Sequence, residues 1–87
     1  MPTVTWARLD AERRAAVVAA AEAEFAARGF SHGSLNVIAR RAGVAKGSLF
    51  QYFADKRDLY AFICDVASQR VRSHMEDRIR ELDATRP

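Results

Sequence analysis

The sequence predicts an all-α fold, a three-helix bundle followed by a long fourth helix, in a chain of 87 residues. Three observations predict it. Apolar residues recur at the three- and four-residue spacing of a helix face, and no stretch alternates as a strand would. Glycines at 29, 33 and 43 break the first half into short pieces, and Ser34, directly after Gly33, starts a helix well. The hydrophobic share of 49% supports a core, which sets the chain apart from disordered polypeptides. A chain of this length buries only about 60% of its unfolded surface, so one small domain is expected rather than two.

Residues 1–9 show no period and are expected to be an N-terminal arm, with Trp6 and Leu9 either laid back on the domain or loose. The first helix spans about 10–28. It is alanine-rich, Asp10 is placed to cap it, Glu12 lies in the first turn, and Val17, Ala21 and Phe25 form a stripe that Val18 widens. Gly29 is expected to end it, with Phe30 as the apolar contact that follows, and Ser31–Gly33 reads as a turn. Ser34 caps the second helix, 34–42, whose inward face is Leu35, Ile38, Ala39 and Ala42. Gly43 closes that helix, and the third, 45–53, turns Leu49 and Phe53 inward. Asp55 starts the last helix, 55–84, with Asp58 three residues on. Its apolar positions are Leu59, Phe62, Ile63 and Val66, then Val71, Met75, Ile79 and Leu82, and the pattern fades at Ala84–Pro87.

The formal net charge of +3 is modest, but its placement is uneven. Residues 28–57 carry Arg28, Arg40, Arg41, Lys46, Lys56 and Arg57 against Asp55 alone, whereas the flanking thirds each hold one more acid than base. Clustered positive charge is the footprint of an anion-binding surface, nucleic acid first. The single cysteine, Cys64, makes no internal disulfide and is expected to be a buried structural thiol of a cytoplasmic protein. The start of the chain lacks the continuous apolar core of a signal peptide, and no apolar run reaches the roughly 20 residues of a membrane span. His32 and His74 stand alone, without a second ligand at metal spacing, so no metal is expected. The sequence has no nucleophile–base pair, no paired carboxylates with a cleft and no phosphate-binding loop, so neither an enzyme nor a cofactor is expected.

Two short helices joined by a tight, glycine-containing turn outline a helix-turn-helix in a homeodomain-like arrangement. In that motif the second helix enters the major groove of DNA and the first braces it. Gly43 supplies the left-handed turn and Val44 plugs it. Spacing residues at about 100° puts Gly47, Ser48 and Gln51 on the outer side of the 45–53 helix, with Phe50 and Tyr52 on its flanks and Lys46 in its first turn. Small residues there let a backbone press against DNA. Lys46 and Gln51 are the candidate base readers, lysine for guanine acceptors and glutamine for adenine. Ser34, Tyr52 and Lys56 are assigned to the phosphates, two of them at helix starts, where free N–H groups and the dipole favour anions.

The run "SLNVIARRAGVAKGSLFQYFADKRDLY", 34–60, resembles the DNA-binding domain of the tetracycline-repressor (TetR) family of transcriptional regulators. The likeness lies in the serine start, the Ile-Ala of the first motif helix, the Ala-Gly-Val turn, and then Gly, Ser, an aliphatic residue, an aromatic and a closing Phe before Lys. "ARGF" after Phe25 extends it, so that it covers roughly residues 10–65. The resemblance implies a ligand-responsive repressor that binds a palindromic operator in double-stranded DNA as a homodimer. A small-molecule effector would act through a C-terminal domain lying beyond the long helix and outside this chain. It also implies that Ser34, Lys46, Gly47, Phe50, Gln51, Tyr52 and Lys56 occupy positions that often touch DNA. Two positions depart from the family pattern: Phe50 replaces the usual tyrosine, and Ala45 replaces a capping serine or threonine. The alternative reading is a helical protein-interaction module that docks through the apolar stripe of 66–82.

Overall fold

The computed structural model describes residues 2–84. These form five helices, α1 (Val4–Arg8), α2 (Ala11–His32), α3 (Leu35–Ala42), α4 (Lys46–Tyr52) and α5 (Lys56–Ala84). The all-helical expectation is met, with one helix more than the periodicity indicated. The expected fading at Ala84–Pro87 falls almost entirely outside the described residues.

The extra helix lies in the N-terminal segment, which is laid back on the domain. Residues 4–8 coil into one short helix capped by the Thr3 hydroxyl, which accepts from the Trp6 N–H. Five residues are too few to show a helical period, and they are too few to be stable alone. Burial holds them, since Trp6 is only 6% exposed. The Arg14 guanidinium donates to the carbonyls of Ala7 and Leu9, tying the end of α1 to the start of α2. Asp10 caps α2 by accepting from the Arg13 N–H at 2.8 Å.

A correction concerns residues 29–33. Gly29 does break the helical path, with φ 73° and ψ −178°, a region open essentially to glycine. The chain then makes one more turn, so Ser31 and His32 are helical rather than in a loop. Gly33 follows with an ordinary φ of −61° and donates to the Gly29 carbonyl at 3.0 Å. Its own requirement is space. A Cβ at Gly33 would lie 2.7 and 2.8 Å from two ring carbons of Phe25.

The core gathers the expected inward faces: Val17, Ala21 and Phe25 from α2, Ile38 and Ala39 from α3, Leu49 from α4, Phe53, and Leu59 and Ile63 from α5. Between α3 and α4, Gly43 adopts the left-handed conformation (φ 76°, ψ 27°). The N–H groups of Gly43 and Val44 return to the carbonyls of Arg40 and Ala39, the pairing of a Schellman turn, and Val44 packs on the core. Asp55 caps α5 by accepting from the Asp58 N–H at 2.8 Å, and the Asp58 carboxylate reaches back to the Ala54 N–H at 3.0 Å.

The α2–α5 seam is aromatic. Tyr60 meets Phe25 and Phe30 edge-on, at centroid distances of 5.0 and 5.2 Å. Its phenol is pushed above the ordinary range by a hydrogen bond with the Cys64 thiol, and charge repulsion from that thiol and desolvation add to the shift. Cys64 is exposed, not buried as expected, because it lies beside the α5 face that packs rather than on it. Arg70 still pairs with Glu22 of α2 at 2.6 Å, and beyond it Val71, Met75, Ile79 and Leu82 are all more than half exposed.

Among the described residues, Glu24 is the buried charged side chain, 2% exposed on α2. Its carboxylate accepts the Ser34 N–H at 2.8 Å, and the Arg28 guanidinium lies 3.4 Å away. A carboxylate at the positive end of α3 satisfies one of the N–H groups a helix start leaves open. Meanwhile the Ser34 hydroxyl accepts from the Val37 N–H at 3.2 Å. The first motif helix is therefore capped twice, once by its own serine and once from α2.

Two stability measurements check this packing. Gly33→Ala drives a methyl into the Phe25 ring and is expected to cost about 1–3 kcal/mol in urea unfolding, the usual penalty of overpacking. Glu24→Ala leaves the Ser34 N–H without its partner and is expected to cost about 1–3 kcal/mol, with Glu24→Gln, which keeps an acceptor, closer to wild type. Equal losses for the alanine and glutamine variants would contradict the capping role.

Candidate nucleic-acid interface

Helix α4 has two unlike sides. Leu49 is 2% exposed and Phe53, immediately after the helix, is also 2% exposed, so both are anchored in the core. Lys46, Gly47 and Gln51 are exposed, Ser48 is half-buried, and Phe50 is 48% exposed. The structure thus brings together, on one short helix, most of the residues singled out for DNA. No side chain caps the helix start at Ala45, so the open N–H groups of the first turn face outward beside Lys46.

Tyr52 sits differently from its expected flank position. It is 7% exposed, with its ring against Trp6 at a centroid distance of 5.8 Å. Its hydroxyl makes no hydrogen bond among the described residues, and no buried side-chain oxygen there is left unpartnered. The hydroxyl is therefore the part of Tyr52 that reaches the surface, an apolar ring inside with its polar tip outside.

Lys56 is half-buried, and its side chain bridges elements. The ammonium donates to the Ser31 carbonyl at 3.1 Å and lies 5.0 Å from the centre of the Phe30 ring. A lysine ammonium has three protons, so donors remain for an anion. Ser34, three residues beyond Ser31, has committed its N–H to Glu24 but keeps its hydroxyl proton. An anion at Ser34 would meet that proton and not the Ser34 N–H.

The electrostatics of residues 28–57 follow from pairing. Arg28 faces Glu24, and Lys56 binds a carbonyl. Arg40, Arg41, Lys46 and Arg57 are exposed and have no carboxylate partner among the described residues. The positive charge of this third is left largely uncancelled, as an anion-binding face requires. Among the described residues, no group of three His, Cys, Asp or Glu is placed to hold a metal ion. No helix there is long and apolar enough to cross a membrane.

Sequence reasoning missed what Thr3 and Glu24 do for this surface, and it left open whether Trp6 lies on the domain. Glu24 carried a signal, an acid seven residues after Val17 and three after Ala21 on an otherwise apolar stripe. Thr3 and Trp6 carried a fainter one, a capping residue three positions before a lone tryptophan.

Comparison with known proteins agrees with the geometry. Over 53 residues, 61% of this chain, it is 42% identical to the HTH-type transcriptional repressor BepR of Brucella suis biovar 1 (strain 1330). It superposes on a TetR family transcriptional regulator from Chloroflexus aurantiacus J-10-FL with a TM-score of 0.82 and 36% identity over 88% of its length. The chain spans 25% of the first protein and 36% of the second. The sequence profile of bacterial regulatory proteins of the tetR family matches residues 17–62, from the middle of α2 to the start of α5. A helix-turn-helix with this packing and this match belongs to the TetR family, and the chain carries the DNA-binding domain of such a transcriptional regulator.

Proposed function

We propose that this chain is the operator-reading part of a cytoplasmic, ligand-responsive repressor that binds a palindromic DNA site as a homodimer. Lys46 and Gln51 read base edges from α4. The hydroxyls of Ser34 and Tyr52 and the Lys56 ammonium hold phosphates and set the register. Gly47 and Ser48 keep the helix surface low, and Phe50 packs on the sugar–phosphate wall or a thymine methyl. The repressor sense is supported by the likeness to the transcriptional repressor BepR. The exposed apolar stripe of α5 supports both the dimer and an effector domain beyond this chain, since contiguous apolar surface usually has a partner.

One observation carries the reading. Gly47 is exposed in the first turn of α4, and an added Cβ there would meet nothing within 4 Å. A glycine in such a place is less favourable than alanine by about 0.5–1 kcal/mol, and no packing of the free domain requires it. Close approach of the α4 backbone to a DNA groove accounts for it.

Gly47→Ala is therefore expected to raise the stability of the free chain by about 0.5 kcal/mol while weakening binding to a duplex selected from a random pool. Lys46→Ala should leave melting unchanged and weaken that binding by about 1–3 kcal/mol. Affinity should fall steeply with salt, as counterion release requires. A Lys46→Ala chain that binds the selected duplex as tightly as wild type would overturn the assignment.

A further inference from the structure

We infer that Thr3 and Trp6 are positioning residues for base readout: they hold the C-terminal end of α4 and set the angle at which it meets DNA. The inference rests on the reading of α4 given above.

The recognition helix cannot hold itself. It has seven residues, whereas isolated helices shorter than about 12–15 residues are marginal in water. Its first turn has no side-chain cap. At its other end, the final carbonyls have no partner within the helix. Phe53 donates to the Leu49 carbonyl at 2.9 Å, which serves one of them. The last two, those of Gln51 and Tyr52, are served from the far end of the chain. The Thr3 hydroxyl donates to the Gln51 carbonyl at 2.5 Å, and the Thr3 N–H donates to the Tyr52 carbonyl at 2.9 Å. A residue 48 positions away thus supplies bonds that a further helical turn would otherwise have made.

Trp6 reinforces the same point. Its buried ring meets Phe53 at 5.0 Å, Phe62 at 5.6 Å and Tyr52 at 5.8 Å between centroids. Two of these rings belong to the end of α4 and the residue after it, and the third belongs to α5. The brace is itself fixed, because Arg14 binds the Ala7 and Leu9 carbonyls. Gln51, a candidate base reader, therefore has its side chain on the outer face and its backbone carbonyl gripped by Thr3.

The two kinds of DNA contact respond differently to a loosened helix. Long lysine side chains follow a phosphate through small rotations, whereas hydrogen bonds to base edges demand fixed geometry. Without Trp6, α4 is still anchored by Leu49, Phe53 and the Gly43–Val44 turn, so it persists with a broader spread of angles. Discrimination between sequences is lost before affinity for DNA in general.

The test compares wild type with Trp6→Ala, Trp6→Phe and Thr3→Val on a duplex selected from a random pool and on a scrambled duplex of equal length, at one salt concentration and below each melting transition. Trp6→Ala is expected to lower the ratio of the two affinities about tenfold, with scrambled-duplex binding within about threefold of wild type. Trp6→Phe should recover much of the ratio, and Thr3→Val should lower it severalfold. A folded Trp6→Ala chain with an unchanged ratio overturns the inference. If Trp6→Ala does not fold, Thr3→Val decides in the same way. A wild-type chain that does not distinguish the two duplexes overturns the reading of α4 instead. Amide exchange in Thr3→Val then decides the brace: faster exchange confined to Gly47–Phe53 supports it, and exchange unchanged there overturns it.

Discussion

The placement of α4 depends on one aromatic contact, the burial of Trp6 between Tyr52, Phe53 and Phe62. A seven-residue helix with an alanine at its N-cap has little intrinsic stability, so its neighbours must supply its orientation. Leu49 and Phe53 pull it inward, the Schellman turn at Gly43 fixes where it begins, and Trp6 with Thr3 fixes where it ends. With both ends fixed, the outer face can forgo stabilising residues. That is why Gly47 and the exposed Phe50 are tolerated on a helix that would otherwise need better helix formers.

The same division appears in the charges. Glu24 is buried and matched to the Ser34 N–H and to Arg28, so this buried carboxylate fixes α3 without cancelling the positive face. Arg40, Arg41, Lys46 and Arg57 remain exposed without carboxylate partners among the described residues. Lys56 has both roles: its stem and ammonium pack over Phe30 and the Ser31 carbonyl, locking the start of α5 to the end of α2, while its remaining donors stay open. A change at Lys56 would therefore disturb the α2–α5 seam as well as an anion contact.

Much of the fold was legible because its main signals are local. Stripes at helical spacing locate the inward residues of α2, α3, α4 and α5, and Gly43 marks the left-handed turn. What the sequence hid depends on contacts between distant residues. Helix α1 is too short for a period and exists because Trp6 finds rings 46–56 positions away. Helical structure runs on past Gly29 to a turn closed by the Gly33 N–H on the Gly29 carbonyl, where Gly33 lies too close to the Phe25 ring for a Cβ. The outer face of α4 was legible from angular spacing, but Tyr52, placed on its flank by the same spacing, turned out to be a core ring with only its hydroxyl at the surface. Cys64 was misjudged because a run of apolar letters does not tell which face of α5 is covered.

The central claim is that the outer face of α4 is the surface that meets DNA. Amide chemical-shift mapping of the isotope-labelled chain, titrated with its selected duplex, tests it most directly. The account predicts that the largest changes fall on Lys46, Gly47 and Gln51, with smaller ones at Ser34 and Lys56. Changes confined to Val71–Leu82, with α4 unmoved, would contradict it and favour a protein-docking role for α5.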